Sequence, residues 1–89
     1  MANTYQFRMI SPNETLYEGE ILSLVAPGEM GYLGVWAHHA PMLASLGPGK
    51  LTIRDKDENM KTFNLASGIL EVSREETVVL TDQAEPAAS

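Results

Sequence analysis

His38 and His39 stand side by side and are the only histidines in the chain. They are the first residues whose type could carry chemistry. A tetrahedral metal site needs three or four converging ligands. No Asp or Glu lies between residues 37 and 48, and neighbouring residues of an extended chain point to opposite faces. The pair therefore reads as histidines hydrogen-bonded near a turn, and no metal is expected. A nucleophilic triad needs an activated Ser beside a His and an acid. Ser23, Ser45 and Ser67 are available, but none sits in a Gly-x-Ser-x-Gly turn, and Ser67-Gly68 reads as a simple turn. Gly28, Gly31 and Gly34 recur every third residue, but they match neither the dinucleotide nor the phosphate-loop spacing, and no Lys follows them. They serve positive φ angles or close backbone approach in a tight β-region. No catalytic residue and no cofactor are expected.

Lys56 is the one other candidate. Asp55-Lys56-Asp57-Glu58-Asn59 reads as a charged hairpin tip, the address at which lipoyl and biotinyl carrier domains present a modified lysine. Asp57 does not fit the Asp-Lys-Ala or Met-Lys-Met setting of those domains. A solvated tip that limits edge-to-edge aggregation is the plainer reading.

The elements that must position these residues are strands. Residues 5, 7 and 9 (Tyr, Phe, Met) alternate with Gln6 and Arg8, a half-buried strand pattern. Ser11-Pro12-Asn13 marks a turn, residues 15–17 a short strand, and residues 21–26 a strand buried on both faces, broken by Pro27-Gly28. Further strands are expected over 41–46, 51–54, 60–65, 69–72 and 77–81, with turns at 47–49, 55–59, 67–68 and 73–76. Recurrent short strands with Gly, Pro and Asx between them predict an all-β fold, a small sandwich or barrel. Residues 1–83 form one domain. Residues 84–89 are Ala- and Pro-rich, show no core-facing pattern and are expected to form a disordered, unpaired tail.

Bulk composition narrows the function. The 89 residues fit one compact domain. Twelve acidic and six basic residues give a net charge of −6, which repels phosphate backbones and anionic lipid. Nucleic acid is excluded, and membrane contact is expected only through a partner. Cysteine is absent, so no disulfide framework exists. No run approaches the roughly 18 apolar residues of a membrane span, and residues 1–8 lack a secretory pattern. Charge is also uneven. Between residues 21 and 53 the charged residues are Glu29 and Lys50 alone. Turns in that stretch carry Met30, Tyr32 and Trp36, side-chain types enriched at interface cores. The stretch is expected to bind protein.

Gly31-Tyr32-Leu33-Gly34-Val35-Trp36-Ala37-His38-His39-Ala40-Pro41-Met42-Leu43 resembles the signature of the epsilon subunit of F-type ATP synthases. Pro48-Gly49, Ser67-Gly68-Ile69-Leu70-Glu71-Val72 and Thr77-Val78-Val79-Leu80-Thr81-Asp82-Gln83-Ala84 agree with it in order and spacing, as does the opening through Leu16-Tyr17-Glu18-Gly19. The resemblance implies a β-sandwich of about ten strands at the foot of the central stalk. It implies a non-catalytic rotor subunit that couples the membrane c-ring to the gamma subunit at the cytoplasmic face of a bacterial membrane or its thylakoid equivalent, and no obligate homo-oligomer. Carried over by position, Gly28, Glu29, Met30, Gly31, Tyr32 and Leu33 would face the c-ring. Ser11, His39, Ala40, Met42 and Leu43 would face gamma. Tyr32 stands where many relatives have an acid, and Lys50 where many have an apolar residue. The helical hairpin that follows the sandwich in most members, with its braking role, has no counterpart in the pattern up to Ser89.

Overall fold

A computed structural model describes residues 3–87 of the chain. Among these residues there are nine strands: β1 (Tyr5–Ile10), β2 (Thr15–Gly28), β3 (Gly31–Trp36), β4 (Met42–Leu46), β5 (Gly49–Asp55), β6 (Met60–Leu65), β7 (Gly68–Val72), β8 (Thr77–Leu80) and β9 (Ala84–Pro86). The expected all-β fold is present, with nine strands where the resemblance implied about ten. No helix among the described residues is long and apolar enough to cross a membrane.

The strands hydrogen-bond in the order β1-β8-β7-β4-β2-β5-β6-β9, with β3 on β2 and β1 also paired to β2. The β1–β2 pairing closes part of the sheet on itself. It puts β1, β8, β7 and β4 on one wall and β3, β2, β5 and β6 on the other. All pairings are antiparallel except β1 with β8. Period-two alternation sends one side of each strand inward. Phe7 and Met9, Ile21 and Leu24, Leu51 and Ile53, and Leu70 and Val79 meet in one fully buried core.

Two expectations need correction. The short strand at 15–17 and the strand at 21–26 are one continuous β2 of 14 residues, running through Glu18-Gly19-Glu20 to Gly28. Glu18, Gly19 and Glu20 lie opposite Arg8, Phe7 and Gln6 of β1. Tertiary pairing thus holds extended a segment whose own β-propensity is poor. Nor is the end of the chain an unpaired tail at residues 84–86: Ala84 and Glu85 pair with Leu65 and Asn64 of β6, and the Ala87 N–H donates to the Thr62 carbonyl at 2.9 Å. A Pro inside β9 is tolerated because its outer edge needs no ladder bond. Residues 1, 2, 88 and 89 lie outside the described residues.

Turn chemistry accounts for the register. The Asp55 carboxylate accepts the N–H groups of Asp57 and Asn59, both at 2.9 Å, which closes the β5–β6 hairpin. The Ser73 hydroxyl donates to the Glu76 carbonyl at 2.8 Å between β7 and β8. Arg8 grips Glu76 with two N–H groups at 2.9 and 3.0 Å and so ties β1 to that same turn.

Tyr5 makes the closure pH-sensitive. Its hydroxyl donates to the Val35 carbonyl at 2.7 Å, and burial pushes its ionisation well above the usual tyrosine range. Burial, and then the charge of Asp55, also raises Tyr17. A phenol whose ionisation is raised on folding contributes stability that is present below its unfolded value, about 10, and lost as pH rises through the folded value. The urea midpoint should therefore stay flat through neutral pH and fall above about pH 10. Tyr5→Phe should cost roughly 1 kcal/mol at neutral pH and flatten part of the alkaline fall. An alkaline limb identical in Tyr5→Phe and the parent would contradict this account.

Candidate functional site

Two outward surfaces meet at one end of the domain. The first is the β2–β3 hairpin tip. Pro27 pairs with Tyr32 and Gly28 with Gly31, leaving Glu29 and Met30 as the turn. Gly28 is required by close approach, because a Cβ there would come within 2.6 Å of the Gly31 carbonyl oxygen. Gly31 has φ +130°, a conformation that favours glycine. The tip is tied to β4 by backbone bonds: the Glu29 N–H donates to the Ser45 carbonyl at 3.1 Å, and the Gly47 N–H to the Pro27 carbonyl at 2.8 Å. Met30 at the apex is 101 % exposed, as free as a side chain can be. Tyr32 instead leans back, and its oxygen accepts the Lys50 N–H at 3.2 Å. Leu33 is half-buried against the core.

The second surface is the outer face of β1, β8, β7 and β4. Register places Ile10, Leu80, Ile69 and Ser45 in one cross-strand row, and Arg8, Val78, Glu71 and Leu43 in the next. Leu43 (72 % exposed), Ile69 and Leu80 make this face apolar. Ser11 follows β1 at the hairpin end of the rows. Glu29 and Ser45 line the same hollow as Ile10, Ser11 and Leu80. His39 and Ala40 precede β4 at the far end, both exposed. The face thus carries Leu43 within it and Ser11 at its hairpin end, while His39 and Ala40 line a separate hollow with Trp36 and the turn after β7.

Met42 is the exception in that set. It is half-buried and packs against the core, because alternation along β4 turns it inward when Leu43 turns out. Ile69 and Leu80 escaped the sequence reading. Each was recognised as part of a strand, but only the register Ile69↔Leu80 sets two exposed apolar side chains next to one another. Lys50 lies off this face, on β5, where its ammonium donates to the Asn64 side-chain oxygen at 3.2 Å. Trp36 is exposed on the other wall, folded over Gly34, where any Cβ would run into its ring.

The histidines hold a turn. His38 sits at φ +67°, and His39 Nδ1 lies 2.7 Å from the Ala40 carbonyl and donates to it. No group of three or more His, Cys, Asp or Glu side chains is placed to hold a metal among the described residues. Lys56 stands exposed on the β5–β6 tip among Asp55, Asp57 and Glu58.

Fold and site together define a small β-sandwich with exposed apolar side chains on a hairpin tip and on an adjoining sheet face. Residues 4–87 match the family model described as "ATP synthase, Delta/Epsilon chain, beta-sandwich domain", and the chain belongs to that family. It is 34 % identical over 88 residues to the ATP synthase epsilon chain of Dichelobacter nodosus, covering 99 % of this chain and 62 % of that protein. It is 37 % identical over 75 residues to that of Chlorobaculum tepidum, covering 84 % and 85 %. The fold superposes with a TM-score of 0.87, at 18 % identity, on a chain in the OSCP/F1/c-ring structure of the Euglena gracilis mitochondrial ATP synthase, covering 93 % of this chain and 53 % of that one. The family assignment supplants the carrier reading of Lys56, which rested on the hairpin address alone.

Proposed function

We propose that this domain is a non-catalytic rotor element of an ATP synthase that joins the membrane ring to the central shaft. In this reading the hairpin tip at Glu29 and Met30 meets the loops of the c-ring, and the wall bearing Leu43, Ile69 and Leu80, flanked by Ser11, His39 and Ala40, packs on gamma. The observation that carries the proposal is the backbone link between the two surfaces. Glu29 is hydrogen-bonded to Ser45, two residues from Leu43 on the same short strand. Rotation imposed at the tip therefore reaches the gamma face through ladder bonds and a close-packed core, which transmit strain with little give. The relatives' name and the c-ring in the Euglena assembly support the same placement. Membrane association then comes through the ring, on the cytoplasmic side, in keeping with the acidic balance.

The test is a bridging assay. Immobilised gamma should retain detergent-solubilised c-ring more firmly when this chain is added, and the chain alone should bind gamma. A properly folded chain that binds gamma no better than an unrelated acidic β-domain would overturn the proposal.

A further inference from the structure

We infer that Tyr32 is a positioning residue for the hairpin tip and that Met30, not Tyr32, is the side chain presented to the ring. This rests on the reading of the tip as the ring-facing end. An aromatic residue beside the tip of a charge-poor hairpin invites assignment as the contact itself. The geometry assigns it elsewhere. The Tyr32 ring lies back across the start of β5, with its oxygen accepting the Lys50 N–H at 3.2 Å. Gly49 is what lets it lie there: a Cβ at that position would stand 2.8 Å from the Tyr32 oxygen and 2.7 Å from the Pro27 Cβ. The tyrosine thus spans from β3 to β5, its hydroxyl end held there although 62 % of the residue stays exposed.

The opposite flank is held by the two backbone bonds to β4, Glu29 to Ser45 and Gly47 to Pro27. The hairpin is braced from both sides, and its apex projects one unbranched apolar side chain, Met30, with no protein contact around it. A flexible thioether is suited to filling an irregular apolar recess. Holding the apex still before contact lowers the ordering cost of binding.

The probe is purified c-ring in detergent, titrated with the full chain. Met30→Ala should weaken binding at least tenfold, and Met30→Leu should restore most of it. Tyr32→Ala should weaken binding by a similar factor with a near-normal melting temperature, and Tyr32→Phe, which removes only the oxygen that accepts the Lys50 N–H, should lose part of that. The double variant Met30→Ala/Tyr32→Ala should be no weaker than Met30→Ala alone, because the tyrosine acts through the methionine. Amide exchange on the free chain should accelerate at Lys50 and Glu29 in Tyr32→Ala, a readout that needs no ring. Additive losses in the double variant would make Tyr32 a direct contact and overturn the inference. So would unchanged exchange, or ring affinity indifferent to Tyr32→Ala. A parent chain that binds gamma but not the ring overturns it differently, by removing the ring reading beneath it.

Discussion

Leu43→Asp should leave the domain folded and weaken its binding to gamma at least tenfold, whereas Met42→Asp, one residue earlier, should lower its melting temperature sharply. The two side chains are neighbours in sequence with opposite fates. Leu43 is 72 % exposed on the outer face of β4, so a carboxylate there stays in water in the free domain. In the complex it would be buried without a partner in an apolar contact, at a cost of about 1.4 kcal/mol or more. Asp at this position also stands opposite Glu71 across the β4–β7 pair, and like charges directly opposite trim stability slightly, by a few tenths of a kcal/mol. Leu43→Lys removes that complication, since it faces Glu71 with the opposite sign. It should bind gamma as poorly while melting close to the parent. Met42 packs against the core, and an ionised group there costs roughly 2 kcal/mol or more of a small domain's stability. Melting temperature and gamma affinity, measured on the same four proteins, check the scheme. Normal gamma binding by folded Leu43→Asp and Leu43→Lys would remove β4 from the interface.

The same alternation explains what could be read in the sequence. Strand existence was legible wherever apolar and polar residues alternate next to turn formers, as in Tyr5-Gln6-Phe7-Arg8-Met9 or around Asp55 and Asn59. Local chemistry sets both features. The continuity of β2 was not legible, because Glu18-Gly19-Glu20 has no strand propensity of its own and is held by pairing with β1. Ala84–Pro86 were missed for the same reason: their partner is β6, some twenty residues back. The hairpin at 28–33 and the segment at 39–43 stand out as a charge-poor stretch with a motif. Ile69 and Leu80 did not, since a surface made by two strands exists only once their register is known. Tyr32 shows the converse limit. Its type suggested a contact, but its direction depends on Gly49, seventeen residues away, lacking a side chain.

Leu70→Ala should separate stability from recognition in a way the surface variants cannot. Leu70 is fully buried in β7, between Ala44 of β4 and Val79 of β8. It lies beneath Ile69, so it anchors the gamma wall from inside without belonging to it. Truncating such a leucine leaves a cavity and costs about 2–5 kcal/mol. A domain of this size has only about 4–13 kcal/mol in total, so the variant should melt far below the parent and lose amide-exchange protection throughout β4, β7 and β8. Its outer face is chemically unchanged, so gamma should still select the folded form. A partner at a hundred times its dissociation constant stabilises by about 2.7 kcal/mol. Saturating gamma should therefore restore much of the protection in Leu70→Ala, measured on this chain by mass spectrometry, and should restore little in Leu43→Asp at the same concentration. Rescue of both variants alike would mean that gamma grips the domain elsewhere. Rescue of neither would mean that the wall requires the packing of Leu70 as much as the exposure of Leu43.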